Sequence, residues 1–135
     1  MSTVDLWPDF LLDEIPRTPK HILLEQATAL GAKTNNVVQG SVHSGVDSDG
    51  DFSHAFVLHC PALKGYRFEL FRVWHRPDLY PVYGENKVVA EDEAGLVEYL
   101  RTLFSTERTV RIIRAIIAQA RSEESVLKLD DDVPF

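Results

Sequence analysis

The chain is poor in sulfur, with one cysteine and one methionine in 135 residues. A lone Cys60 excludes an intramolecular disulfide and the usual cysteine-rich zinc sites. Its apolar setting points to a small buried thiol rather than a nucleophile. No stretch approaches the ~20 apolar residues of a membrane span. The opening MSTVDLWPDF has neither a basic n-region nor a long apolar run, so a cytoplasmic protein without membrane contact is expected. The patterns G-x-S-x-G, P-loop and H-E-x-x-H are missing, and no two carboxylates fall together on an expected rigid element. The expectation is therefore no enzyme activity, no catalytic residue, no cofactor and no metal. Positive charge is also scarce: 14 lysines and arginines stand against 21 aspartates and glutamates, a net charge of −7. That balance argues against a generic duplex-DNA binder and leaves room for a local basic site.

What is present is ordinary for a globular chain, with 44% hydrophobic and 26% charged residues. The length suits one domain with a real core, here placed at residues 1–121, followed by a flexible acidic tail at 122–135. Residues 1–17 form an irregular arm broken by Pro8 and Pro16, with Leu6, Trp7, Phe10, Leu11 and Leu12 expected to fold onto the core. Thr18 is a good N-cap and Pro19 suits the first helical position. A helix over 19–30 follows, with Ile22, Leu23, Ala27 and Leu30 at helical spacing and Gly31 as its stop.

Alternation predicts strands at 36–45, 52–60 and 66–75, with a fourth short element around 80–83 to which 87–89 adds. The turn VDSDGD (46–51) invites a calcium reading. A calcium loop, however, needs glycine sixth and glutamate twelfth, whereas Gly50 falls fourth from Asp47 and Leu58 twelfth, so an Asp-Gly hairpin turn is expected. Symmetric closure around 48–49 would set His43 opposite His54. Two histidines without a carboxylate in a defined geometry are a weak metal signal, and surface strand histidines are expected.

Helices at 92–104 and 107–121 complete the plan, the second capped by Ser105 or Thr106 and buried through Val110, Ile113, Ile117 and Ala120. The expected class is α+β: an N-terminal helix, a three- to four-stranded antiparallel meander, and two C-terminal helices on one sheet face.

Two basic features stand out in this acidic chain. Residues 64–76 carry four cations and one acid. Simple alternation puts Tyr66, Phe68, Leu70, Arg72 and Trp74 on one face and Arg67, Glu69, Phe71, Val73 and His75 on the other. Arginines interleaved with aromatics are what a single-strand platform uses, rings stacking on bases and guanidinium groups holding phosphates. The alternative is a central strand with an aromatic core face and a solvated basic face. Arg67, Arg72, Trp74 and Arg76 are the candidate contacts. In the last helix Arg108, Arg111, Arg114 and Arg121 lie opposite the isoleucines. This stripe could track phosphates, receive the chain's own acidic tail as an autoinhibitory contact, or form a solvated face.

The chain ends Asp130-Asp131-Asp132-Val133-Pro134-Phe135. The aspartates are strongly hydrated, Pro134 biases Val133 toward extended backbone, and Phe135 combines a ring with an α-carboxylate. Such a tip suits a protein partner with an apolar pocket and a basic rim. These six residues resemble the acidic docking tip of bacterial single-stranded DNA-binding proteins, which recruits replication, recombination and repair proteins. The family's N-terminal strand pattern is not found in residues 1–60, and its long low-complexity linker is missing. The resemblance therefore implies a docking peptide alone. The expected function is a non-enzymatic accessory protein of DNA metabolism that docks through this tip, with the basic strand leaving open a contact of the body with single-stranded DNA. Two other functions stay open. One is an adaptor or inhibitor that competes for tail-binding pockets. The other is a small acidic partner-binding module, such as an immunity protein or antitoxin, whose charge complements a basic target.

Overall fold

A computed structural model describes the backbone of residues 4–132 and the side chains of residues 4–124. The fold is α+β, with a helix, a five-stranded antiparallel sheet in the order β1-β2-β3-β4-β5, and two further helices. The expected three- to four-stranded meander gains a strand because the stretch after residue 80 forms two. β4 (Val82–Gly84) and β5 (Lys87–Ala90) are turned around Glu85 and Asn86, both at positive φ. Among the described residues no helix is long and apolar enough to cross a membrane.

Helix α1 (Pro19–Lys33) starts where the cap predicts, with Thr18 Oγ1 accepting from the His21 amide at 3.0 Å. It does not stop at Gly31. That glycine is buried inside the helix, where an added Cβ would lie 3.3 Å from Asn36 Oδ1. The left-handed positions that end the helix are taken by Asn35 and Asn36, and the Asn36 amide donates to the Gly31 carbonyl. The chain then enters β1 (Gln39–Val46), which pairs with β2 (Phe52–His59).

Helix α2 (Glu93–Phe104) is capped by Asp92, which accepts from Gly95. Thr106 caps α3 (Glu107–Asp132) by accepting from the Thr109 amide at 3.3 Å. The α3 backbone runs on past the expected end at 121. Its buried seam is rotated from the expected one, with Ile116 and Ala120 fully buried beside Thr109 and Val110 left 41% exposed. The Thr109 hydroxyl fixes that rotation by donating to the Leu103 carbonyl at 2.9 Å.

The core lies between the helices and one sheet face, built on Ile22, Leu23, Phe56, Leu58, Val73, Val82, Leu96 and Ile116. Phe56 stacks on Phe71 at 5.3 Å, and both rings meet Phe104 of α2. Cys60 is a buried free thiol, as its apolar setting predicts. The N-terminal arm departs from expectation. Leu6, Trp7, Phe10, Leu11, Leu12 and Ile15 are exposed rather than folded onto the core. Arg17 anchors the root of the arm, pairing with Glu25 and Glu93 while its carbonyl accepts from the Tyr80 hydroxyl.

Gly40 marks the closest approach of sheet and helix. A Cβ there would sit 3.0 Å from Ala27 Cα and 3.1 Å from the Phe56 ring. Gly40→Ala should therefore destabilise the protein by about 1–3 kcal/mol through overpacking. In urea denaturation the midpoint should fall with an unchanged slope, and an unaltered midpoint would show that α1 yields freely.

Candidate nucleic-acid interface

Strand β3 (Arg67–His75) takes one more residue than β2 provides for. Phe56 pairs with Phe71 and Val57 with Glu69, which leaves Leu70 as an unpaired bulge. Leu70 is buried on the helical side with Val73 and His75, and Phe68 and Phe71 pack there half-buried. The bulge overturns the expected alternation. Arg67, Glu69, Arg72 and Trp74 now share the face opposite the helices, opposite His59, Val57, Ala55 and Ser53 respectively. Simple period-2 counting had placed Arg67 apart from Arg72 and Trp74.

Cross-strand pairing extends this face on both sides. Trp74 pairs with Tyr83 of β4, and Ala55 pairs with His43 of β1. The open face thus carries two half-buried aromatic rings at one end and a histidine cluster at the other. Arg76, just past β3, lies 6.0 Å from the centre of the Tyr83 ring. A cleft of about 370 Å³ opens beside Trp74, Arg76 and Tyr83, bordered by Asp51 and Glu85. Arg72 grips Glu69 at 2.7 Å. That hydrogen bond holds the Glu69 carboxyl below its ordinary range and raises Arg72. Arg67 has no acidic partner among the described residues.

The histidine cluster was not foreseen, because the hairpin closes one residue away from the symmetric register. The Asp47 carboxylate accepts from the amides of Asp49 and Asp51, and Gly50 adopts φ 86°, giving a five-residue loop with Val46 opposite Phe52. His43 therefore faces Ala55 and points away from His54. On the open face Ser41 Oγ meets His43 Nε2 at 2.9 Å and also contacts His59 Nε2. Partial burial, then the charge of Arg67, then His43, pull the His59 pKa below its ordinary value.

The same register sends His54 into the protein, against the expected surface placement. His54 and His75 are 3% and 4% exposed, and their Nε2 atoms are 2.8 Å apart. Neighbouring groups fix the protons. The Arg76 carbonyl, 2.8 Å from His75 Nδ1, only accepts, so that nitrogen donates. His75 Nε2 then accepts from His54 Nε2, and His54 Nδ1 accepts from the Ser44 hydroxyl at 2.8 Å. Burial, then the neighbouring His75 and Lys20, lower the His54 pKa to about 4.

The second basic feature lies elsewhere. Arg108, Arg111 and Arg114 belong to the helical layer, on the far side of the sheet from Arg67, Arg72 and Trp74. Arg108 sits 5.9 Å from the Phe68 ring centre, Arg111 pairs with Glu107, and Arg114 lines an apolar cavity. Arg121 is exposed further along α3. The two sets of cations do not form one track. The tip residues Asp130, Asp131, Asp132, Val133, Pro134 and Phe135 fall outside the described side chains. No protein family, curated protein or solved structure matches the chain.

The His54 pKa has a consequence for stability. Between pH 6.5 and about 4 the unfolded chain takes up a proton that the folded chain refuses. Stability present above pH 6.5 should therefore fall as pH drops through this window, by about 3 kcal/mol at most. Urea midpoints measured across the window should show the loss, and His54→Gln should flatten it. An identical pH profile in that variant would remove His54 as the cause.

Proposed function

We propose that the protein is a non-enzymatic, cytoplasmic accessory factor of DNA metabolism that binds single-stranded nucleic acid on the open face of its sheet. It docks through Asp130–Phe135 onto a protein partner that offers an apolar pocket with a basic rim. The observation that supports the first half is the bulge at Leu70, which gathers Arg67, Arg72 and Trp74 on a face that no described helix covers. Trp74 and Tyr83 supply flat rings for bases. Arg67, Arg72 and Arg76 supply charge for phosphates, with the Glu69 carboxylate displaced from Arg72 on binding. The net charge of −7 keeps the interaction local and disfavours long duplex DNA. The second half is supported by the chemistry of the tip: hydrated aspartates for steering, and a terminal ring beside the α-carboxylate for the pocket.

A labelled oligonucleotide at low salt tests the surface. Three phosphate contacts predict that log affinity falls with log salt at a slope of about −2. Trp74→Ala should weaken binding by about 1–3 kcal/mol, the scale of one stacked base. If the combined Arg67→Ala, Arg72→Ala and Trp74→Ala variant binds like the parent, the open face is not the site.

Protonation of His59 adds positive charge next to Arg67. Affinity should therefore rise at pH values below the ordinary imidazole range, and His59→Gln should remove the rise. Removal of Phe135 should abolish capture of the protein partner while leaving oligonucleotide binding intact. Capture that survives this deletion would favour the acidic partner-binding module instead.

A further inference from the structure

The helical side of the sheet is not closed. Between α1, α2, α3 and the sheet lies a cavity of about 550 Å³, floored by Phe56, Leu58 and Leu70 and walled by Leu30, Val97 and Ile113. Its size is that of a site for a few large side chains. Lys33, Arg101 and Arg114 stand at its margin. Arg101 is held by Glu98, whereas Lys33 and Arg114 pair with no acid among the described residues. An apolar floor with unpaired cations at the rim calls for an acidic segment rich in large apolar side chains.

The chain carries such a segment, and it lies unused. Residues 4–16 present Leu6, Trp7, Phe10, Leu11, Leu12 and Ile15 to solvent, from 54% exposed at Leu11 to 88% at Leu6. Asp5, Asp9, Asp13 and Glu14 are interleaved with them, and no cation occurs before Arg17. An exposed apolar run of this size marks an interaction site. Arg17 fixes where the arm leaves the body, and from there the arm stands clear of its own cavity.

We infer that the cavity between the helices is the docking site for the N-terminal arm of a second copy of this chain, so that two copies exchange arms reciprocally. Trp7 and Phe10 fill the apolar floor, and the arm's acids meet Lys33 and Arg114. The contact is two-fold, because each copy offers the same arm and the same cavity. Ordering a short arm offsets much of the apolar gain, which sets the dissociation constant on the order of tens of micromolar. The open sheet face lies on the other side of the molecule and stays free in the dimer.

Sedimentation velocity of the full chain over about 1–200 µM tests this. The expected result is a concentration-dependent doubling of mass, accompanied by a blue shift of the Trp7 emission. Trp7→Asp with Phe10→Asp, substitutions at exposed positions that leave the core intact, should weaken association at least tenfold. Lys33→Glu with Arg114→Glu should do the same. Mixing that rim variant with an Asp9→Lys, Asp13→Lys variant should restore a heterodimer, a result that misfolding of either would not give. A monomer at every concentration would overturn the inference. So would a dimer that persists in the arm variant, or a Trp7 blue shift without a change of mass, which would mean that the arm closes on its own cavity.

Discussion

The unpaired Leu70 is the constraint on which the two sides of this sheet depend. Without it, a straight period of two would carry Arg72 and Trp74 under the helices along with Phe68, and turn Phe71, Val73 and His75 out to solvent. One extra residue keeps Phe68 and Leu70 in the core, then hands the core positions to Phe71, Val73 and His75. The Phe56–Phe71–Phe104 cluster and the buried histidine pair both follow from that reversal. So does the grouping of Arg67, Arg72 and Trp74 on the open face.

The bulge also explains which parts of the molecule were legible in the amino-acid sequence. The starts of α1 and α3 were, because Thr18-Pro19 and Thr106 are local signals with local physics. The α+β class followed from periodicity, and the hairpin turn from its Asp-Gly chemistry. Register was not legible. The hairpin differs from symmetric closure by one residue, because the Asp47 side chain organises a five-residue loop, and that slip changes the cross-strand partners of His43, His54 and His59. The bulge is a tertiary solution, chosen so that Phe71 can reach Phe56 and Phe104. Arg67, Arg72 and Trp74 do share one face, but alternation alone sets Arg67 on the other side from Arg72 and Trp74. His59 and Tyr83 were missed, and His43 was read only against His54, because cross-strand pairing alone brings them to the same surface. Gly31 misled because a glycine near a helix end also serves close packing.

The two layers divide the chemistry of the chain. The helical layer has an apolar interior and cations at its margin, and the opposite face has rings and guanidinium groups on the open side of the sheet. An overall charge of −7 therefore coexists with a local group of arginines, because many of the acids sit in the arm, the hairpin loop and the C-terminal segment. Net charge describes how the whole molecule behaves at a distance, while the local arrangement of Arg67, Arg72 and Arg76 sets the field close to this face.

The chain of hydrogen bonds from Ser44 through His54 and His75 to the Arg76 carbonyl crosses three consecutive segments of the sheet. The central link, between the two imidazoles, is buried, and the outer two are part-buried. Apolar side chains alone discriminate poorly between neighbouring alignments of strands, since one valine packs much like the next. A shift of β1 or β3 by one position would leave imidazole nitrogens without partners, at a penalty about twice the net gain from forming the bonds. The histidines thus act as an alignment key, adding little to the depth of the native minimum and much to its distance from the misaligned alternatives.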